Sequence, residues 1–455
     1  MIIKLQRSKD RPYIWLPNTL PTSIMSILDK LTSYETIGYE YSEAWATGKW
    51  DGRDRLLRQA SNKAWYFPEG LLPMITQTLA AFGYSVELAP RQKPNKTLRT
   101  VHWRGPKLRD YQITTVNATL DKLNKGEGCI INLPTGAGKS LILMKIIHEI
   151  GAPTLITVHN KELMNQWKTE IETNLGYVAQ LYGGGKKKDW ESANVSEITI
   201  AMIQTLAKDD KLNLNHFDLL AGDEIHHYSA PIFSKVAMKC NAFYRIGMSA
   251  TTSREDGAEL KFIGGIGQII KPIDAKQLIE QGYLTRPELI IQRPPSPEKL
   301  GYTYQQEYMN GIVLNEGRNQ MIARIAKEYI WRGKQVYVNV KIKKHGERLA
   351  QLIGCEFIHA SSKNRTSEIN DFSCSKSRAI VSTLLGEGIS INGIDVIVMA
   401  SAGKSATATI QRAGRVLRLK DGKSKATIVD FADSGKRLRQ HYEKRRQTYK
   451  EILGI

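Results

Sequence analysis

The chain has 455 residues, 41% hydrophobic and 24% charged, a composition ordinary for a soluble protein that buries two or three cores of about 100–200 residues each. No apolar run approaches the roughly 18 residues needed to span a bilayer, and the opening MIIKLQRSKDRPYIW lacks the apolar region and cleavage site of a secretory signal, so a cytoplasmic protein with no membrane partner is expected. Lys and Arg number 65 against 45 Asp and Glu, a net charge of +20 that attracts polyanions; nucleic acid is the first partner to consider, a merely soluble basic protein the alternative.

Residues 1–100 read as a small separate unit of short mixed segments, with a turn signal at Lys49-Trp50-Asp51-Gly52-Arg53 and an apolar helix-like stretch from Gly70 to Phe82. The polar, Pro-containing run from Ala89 to Thr100 reads as a linker. From Leu108 the pattern changes. The runs CIINL, PTLITV, EITIAMI, FDLLAG and YRIGMS alternate with helical stretches, as βαβ units on a parallel sheet do. A Pro-rich break from Gln292 to Tyr304 precedes a second series, QVYVNV, CEFIHA, RAIVST, DVIVMA and ATIVDF. The fold class is therefore α/β, with one parallel-sheet domain over residues 101–290, a second over 291–435, and a basic helical stretch over 436–455. The four cysteines, Cys129, Cys240, Cys355 and Cys374, form no CxxC pair, so they read as reduced and structural, with no zinc.

Three stretches carry chemistry. After the strand CIINL comes Pro134-Thr135-Gly136-Ala137-Gly138-Lys139-Ser140, followed by an apolar helix. Glycines let backbone N–H groups wrap a phosphate, Lys139 reaches the β- and γ-phosphates, and Ser140 offers a hydroxyl to Mg²⁺. The strict phosphate-loop pattern wants Gly where Leu133 stands; the strand–loop–helix context supports the reading nonetheless.

The run Ala221-Gly222-Asp223-Glu224-Ile225-His226-His227-Tyr228 follows an apolar strand. A metal site, an acid/base pair and a solvated turn are the candidate readings. The helical two-histidine zinc motif spaces its ligands by four, which adjacent His226 and His227 do not. With a phosphate loop upstream, Asp223 is expected to hold Mg²⁺ and Glu224 to orient and deprotonate the attacking water. Ser249-Ala250-Thr251 ends the next strand, where hydroxyls reach the carboxylates or His226; alone it is a turn signal. In the second α/β half, Gln411, Arg415 and Arg418 fall at i, i+4 and i+7, one face of a helix. Arginines so placed stabilise charge on a γ-phosphate in transfer, or simply form a solvated basic face.

Taken together, LRDYQ, LPTGAGKS, TLITVHNKELMNQW, ITIAMIQTL, DEIH, SAT, VSTLLGEGISI and QRAGRVLR stand in the order of the superfamily 2 helicases and translocases, which the chain resembles from Leu108 to Arg418. Within them it looks most like the phage UvsW-type helicases, which remodel branched DNA, and SATTSRED is similar to XPB-like relatives. The resemblance implies two tandem RecA-like domains behind a small N-terminal α+β accessory domain. It implies an ATP-dependent DNA helicase acting on forked and branched DNA in replication, recombination or repair, with ATP and Mg²⁺ as cofactors. Gln112 is then expected to read the adenine edge with Arg109 and Tyr111 nearby, and Thr135, Gly136, Ala137, Gly138, Lys139 and Ser140 to hold the phosphates. His226, with Ser249 and Thr251, couples the domains, Arg415 and Arg418 are arginine fingers, and Gln411 positions water or the γ-phosphate between the two α/β domains. Asn160, Thr205 and Thr383 stand at the positions that grip the DNA backbone. The chain departs from the family at His159-Asn160, where Pro-Thr is frequent, and at Ser390, where many relatives carry Asp.

Two additions bear on substrate choice. Trp45, Trp50, Trp65 and Tyr66, among basic residues, either stack on exposed bases or build the core of the first hundred residues. Arg437, Arg439, Lys444, Arg445 and Arg446 either add a DNA contact or solvate a terminal helix. An RNA helicase and an ATPase clamp that does not unwind are the rival functions.

Overall fold

The computed structural model divides into two compact units, described here for all residues except 95–100, 186–196, 251–256, 385–392, 404, 421–422 and 455. One unit holds Met1–Leu133 and Gly138–Pro272; the other holds Ile273–Ile455 and is assigned the loop residues Pro134–Ala137. Among the described residues no helix is long and apolar enough to cross a membrane.

The first unit opens with β1 (Ile2–Lys4), β2 (Gln6–Arg7), β3 (Tyr13–Leu16), α1 (Thr22–Leu31), β4 (Ser33–Glu35), α2 (Glu43–Ala46), β5 (Arg53–Arg55), β6 (Arg58–Gln59), β7 (Trp65–Pro68), α3 (Leu72–Ala81) and β8 (Ser85–Glu87). An antiparallel sheet, β2-β3-β7-β6, carries this region. Its strands alternate as a one-sided sheet must: Ile14 and Leu16 point inward with Phe67 onto Leu28, Leu71, Ile75 and Leu79, while Tyr13 and Trp15 face out. The aromatics singled out from sequence therefore divide. Trp65 packs against this core, Trp50 donates Nε1–H to the Arg53 carbonyl at 2.8 Å, Trp45 is exposed, and Tyr66 lies on the outer face.

The same unit continues through α4 (Asp110–Asn124), β9 (Cys129–Asn132), α5 (Lys139–Ile150), β10 (Thr154–Val158), α6 (Lys161–Leu175), β11 (Gln180–Tyr182), β12 (Ile198–Met202), α7 (Ile203–Lys208), β13 (Leu219–Gly222), α8 (Ala230–Lys239), β14 (Tyr244–Ser249), α9 (Glu259–Gly265) and β15 (Gln268–Ile270), against which the N-terminal region, with a sheet and a core of its own, is packed. Leu260 and Ile263 of α9 join the N-terminal core, and Lys261 pairs with Asp54 at 2.5 Å. A Cβ on Gly70 would stand 2.0 Å from the Ile263 carbonyl oxygen, so that contact needs glycine. The start of the presumed linker is tied down as well, since Arg91 bonds Asn241 Oδ1 at 2.8 Å and Glu69 at 3.2 Å.

The seven strands of the large sheet are all parallel, in the order β11-β12-β10-β13-β14-β9-β15. Their apolar runs are buried on both faces, as parallel strands covered by helices require. Register aligns the carboxyl ends: Thr157 pairs with Gly222, Gly222 with Gly247, and Asn132 with Ser249.

The second unit comprises α10 (Ala275–Glu280), β16 (Arg286–Gln292), α11 (Tyr304–Tyr308), α12 (Glu316–Trp331), β17 (Val336–Asn339), α13 (Lys343–Ile353), β18 (Glu356–Ile358), α14 (Arg365–Ser373), β19 (Ala379–Ser382), β20 (Val396–Val398), α15 (Ala406–Val416), β21 (Lys425–Phe431) and α16 (Lys436–Leu453). Its six parallel strands run β16-β21-β20-β17-β19-β18. Because β16 pairs with β21 along its whole length, from Arg286–Lys425 to Gln292–Phe431, the boundary placed at residue 291 moves back to Ile273. The Pro-rich run that suggested it is a connection inside the unit.

The basic tail is also re-read. In α16, Arg445 is 2% exposed and forms a bidentate pair with buried Asp430 at 2.8 and 2.9 Å; Arg437 pairs with Glu307 at 2.9 Å. A second buried pair, Arg318 with Asp433 at 2.7 Å, fixes α12 to the residues after β21.

Candidate active site

At the carboxyl edge of the seven-stranded sheet, where open α/β sheets bind ligands, β9 runs into the phosphate loop and α5. Gly136 and Gly138 adopt positive φ, 91° and 74°, a conformation that strains any residue with a Cβ. A Cβ on Gly138 would also lie 2.5 Å from Gln112 Nε2. The helix starts at Lys139 with no side-chain cap from Gly138, leaving its first N–H groups to an anion. Ser140 is half-buried in the first turn of that helix. Gln112 is buried, and its Oε1 accepts from the Arg109 N–H at 2.9 Å at the start of α4. Gln112 is thus held against the loop by its own helix terminus.

Asp223 and Glu224 leave β13 with different environments. Asp223 is 5% exposed; its Oδ2 accepts from Trp167 Nε1 at 2.8 Å and its Oδ1 from the Glu224 N–H at 2.9 Å. Burial, reinforced by the neighbouring Glu224 charge, pushes the Asp223 carboxyl up to about 7. Glu224 sits in the left-handed region, φ 46°, which costs a non-glycine residue roughly 1–2 kcal/mol and turns the chain sharply at the strand tip. Its Oε1 lies 3.3 Å from Lys139 Nζ. Burial works to raise the Glu224 carboxyl, but the Lys139 ammonium outweighs it and holds it well below the usual carboxylate range.

His226 Nδ1 lies 2.9 Å from Ser249 Oγ and 3.4 Å from Glu224 Oε2. Burial pulls its pKa down to about 3, so the ring is neutral in ordinary buffers. The ring of His227 stands between His226, 4.2 Å away, and His159, 4.7 Å away, centroid to centroid. His159 Nε2 in turn meets Asn160 Nδ2 at 3.0 Å, and Asn160 Oδ1 caps α6 by accepting from the Leu163 N–H at 2.8 Å. Gln204, next to Thr205 on α7, donates to the His159 carbonyl at 2.9 Å. A row of three imidazoles therefore runs from the Glu224 carboxylate to Asn160 and the start of α7.

Sequence reasoning missed His159, His227, Trp167 and Tyr228 as site residues. Tyr228, buried, lies with its hydroxyl 3.2 Å from Thr157 Oγ1 and binds the ends of β10 and β13 together. Each lies in or beside a quoted stretch, but its contacts come from residues distant in the chain: His159 for His227, Asp223 for Trp167 and Thr157 for Tyr228.

In the second unit, Arg415 lies on α15, but the helix ends at Val416, so Arg418 stands beyond it and not on one helical face with Gln411 and Arg415. The reason is a set of caps on the last carbonyls: Lys423 Nζ donates to the Val416 carbonyl and, at 3.3 Å, to that of Arg418, and the Thr285 N–H donates to the Leu417 carbonyl at 2.7 Å. Arg412, not singled out from sequence, reaches Ser401 Oγ at 3.2 Å, and that hydroxyl bonds Asn339 Oδ1 at 2.7 Å. Thr383 follows β19, its N–H 3.3 Å from the Ile358 carbonyl. Thr251, Ser390 and the side chain of Gln411 lie outside the described residues.

Residues 105–254 match the family described as type III restriction enzyme, res subunit, and residues 320–420 match the helicase conserved C-terminal domain. The chain is 27% identical over 434 residues to the ATP-dependent DNA helicase uvsW of Enterobacteria phage T4, covering 88% of this chain and 85% of that protein. It is 26% identical over 373 residues to the DNA 3'-5' translocase XPB2 of Sulfurisphaera tokodaii, covering 72% and 82%. The fold is shared with the Hef helicase domain of Pyrococcus furiosus, at a TM-score of 0.51 and 15% identity over 75% of this chain and 98% of that one. It is shared as well with a fragment of a putative HsdR subunit of a type I restriction enzyme from Vibrio vulnificus, at a TM-score of 0.58 and 17% identity over 76% and 67%.

Proposed function

The chain belongs to the superfamily 2 helicases, and from that premise we propose that it couples ATP hydrolysis to the unwinding or branch migration of forked and branched DNA. The observation that carries the reading is the Lys139–Glu224 pair at 3.3 Å, beside a glycine loop and an uncapped helix start. Without nucleotide, Lys139 holds the Glu224 carboxylate. When phosphates enter the loop they draw Lys139 away, the Glu224 pKa rises, and the carboxylate becomes a better base at the moment a water stands to be deprotonated. That water's oxygen bonds the γ-phosphorus, the bridge to the β-phosphate breaks, and Glu224 takes the proton. Charge developing on the transferred group falls to Lys139 and, on the family assignment, to Arg415 and Arg418, with Gln411 positioning the water or γ-phosphate.

The residues also fit a magnesium ion. A buried carboxylate at Asp223, whose two oxygens each keep a lone pair beyond the bonds from Trp167 and the Glu224 N–H, and a hydroxyl at Ser140 form the hard-oxygen donor set this cation takes. Bound there it would neutralise phosphate charge. The row His226–His227–His159 links Glu224 to Asn160, and the His159 carbonyl takes the amide of Gln204 beside Thr205, so the proposed strand contacts and hydrolysis share one set of packed rings. Thr383 is proposed as the corresponding strand contact of the second unit.

The test is displacement of a labelled strand from forked duplexes with ATP and Mg²⁺. Glu224→Gln is expected to retain ATP binding and to lose about 10²–10⁴ in turnover, the size of a general-base contribution. Lys139→Ala is expected to abolish displacement. Hydrolysis near wild-type in Glu224→Gln would overturn the base assignment; ATP turnover with no displacement, or stimulation by RNA and not by branched DNA, would overturn the substrate.

A further inference from the structure

Away from the carboxyl edge, the first unit contains a cavity of 470 Å³ lined by two parts of the fold. One wall is the outer face of the N-terminal antiparallel sheet, with Tyr13 on β3, Arg11 in the bend before it and Arg58 on β6. The other is one face of α8, where Pro231, Ser234, Lys235, Met238 and Lys239 recur at helical spacing, together with Lys261 of α9. Five cationic side chains line it and one carboxylate, Asp210.

The charge is unevenly compensated. Lys235 and Lys239 share Asp210, at 3.1 and 2.5 Å, and Lys261 is paired with Asp54. Arg11 and Arg58 are exposed and have no carboxylate partner among the described residues. Like charges brought together in this way repel, and a bound polyanion relieves the repulsion. The Tyr13 hydroxyl, kept protonated by burial and the neighbouring Tyr66, adds a neutral donor to the same wall. From Tyr13 an aromatic row continues over the sheet: its ring meets Tyr66 edge-on at 5.1 Å, and Tyr66 meets Trp15 at 5.1 Å. Arg58 stands opposite Tyr66 in the strand register. Cations beside half-buried rings suit a nucleic-acid backbone and its sugars.

The cavity lies along the flank of α8, whereas Asn160 and Thr205 stand at the starts of α6 and α7 on the carboxyl edge. It therefore faces a part of the substrate other than the strand gripped at that edge. We propose that this cavity is a second DNA site, which seats backbone phosphates of a duplex arm of the branched substrate and so gives the helicase its preference for branched over linear DNA. The inference rests on the DNA-helicase reading.

The test uses the full chain and an Arg11→Ala/Arg58→Ala double variant, with thermal unfolding to confirm that loss of these exposed side chains leaves the fold intact. Anisotropy titrations of a forked duplex and of a single strand are run across a salt series. Each lost phosphate contact lowers the slope of log K against log salt by about 0.9 on duplex. A slope shallower by about 1–2 on the fork, with single-strand affinity and DNA-independent ATPase unchanged, is the expected result. Lys235→Ala should shift the fork slope the same way. An unchanged fork slope overturns the proposal, as does an equal loss on single strands. Binding of inorganic tripolyphosphate that disappears in the double variant while fork binding persists would assign the cavity to a free anion and overturn it too. Wild-type strand displacement, abolished by Lys139→Ala, reports on the helicase reading separately; displacement intact with the fork slope unchanged sinks the cavity alone.

Discussion

Replacing Arg445 by Ala separates two accounts of the basic C-terminal helix. If the helix is a solvated DNA contact, the change costs affinity and no stability. In the structure Arg445 donates to both Asp430 oxygens, at 2.8 and 2.9 Å, to the Phe431 carbonyl at 3.1 Å and to the Gly403 carbonyl at 3.0 Å. Asp430 is fully buried, and without the guanidinium it keeps the Phe431 N–H at 2.7 Å and the Tyr449 hydroxyl at 3.1 Å. Removing one partner of a buried pair costs about 3–5 kcal/mol, because the remaining charge is stranded in a low dielectric. For a unit of this size each kcal/mol lowers the unfolding midpoint by about 2–4 °C, so a fall of about 6–20 °C is expected by scanning calorimetry. Arg445→Met combined with Asp430→Leu should recover most of that loss, since an apolar pair leaves no charge behind. An Arg445→Ala protein with an unchanged midpoint and a weakened DNA affinity would refute the reasoning.

Two more outcomes concern the active site and its surroundings. Trp167→Phe removes the indole donor to Asp223; hydrogen bonds to charged groups are worth about 1.5–3 kcal/mol, and the loss of a group that orients a ligating carboxylate should raise the Mg²⁺ needed for half-maximal ATPase by about 10–100-fold, an effect absent if Asp223 does not hold the ion. Stability should fall as pH drops below about 6.5, the ordinary histidine value. Burial lowers His159 to about 4 and His226 and His345 each to about 3, so the unfolded chain takes up their protons first, while Asp223, raised to about 7, opposes with one proton. Unfolding midpoints between about pH 7.5 and 5 should therefore decline with a net uptake of roughly two protons, reduced by His345→Gln; a flat profile would contradict the burial of these rings.

Much of the architecture was legible because it is written locally. Apolar runs such as Thr154–Val158 and Tyr244–Ser249 are both the sequence pattern and the strands, and the glycines read as a loop do lie between a strand and a helix. The three-residue edge strands Gln180–Tyr182 and Gln268–Ile270 were not legible, being too short to show a period, and β16 was placed with the wrong domain because its partner lies far along the chain at Lys425–Phe431.

What the sequence determined by itself was the inventory: the strand-forming runs, a glycine loop between a strand and a helix, and two carboxylates at a strand tip. Which carboxylate sits high and which low, which histidine lies between its neighbours, and whether an arginine in a basic tail faces solvent or Asp430 were decided only by the tertiary structure. The physical reason is that motifs report backbone geometry over a few residues, whereas burial and electrostatic partners depend on which distant segments the sheet register brings within a few ångströms.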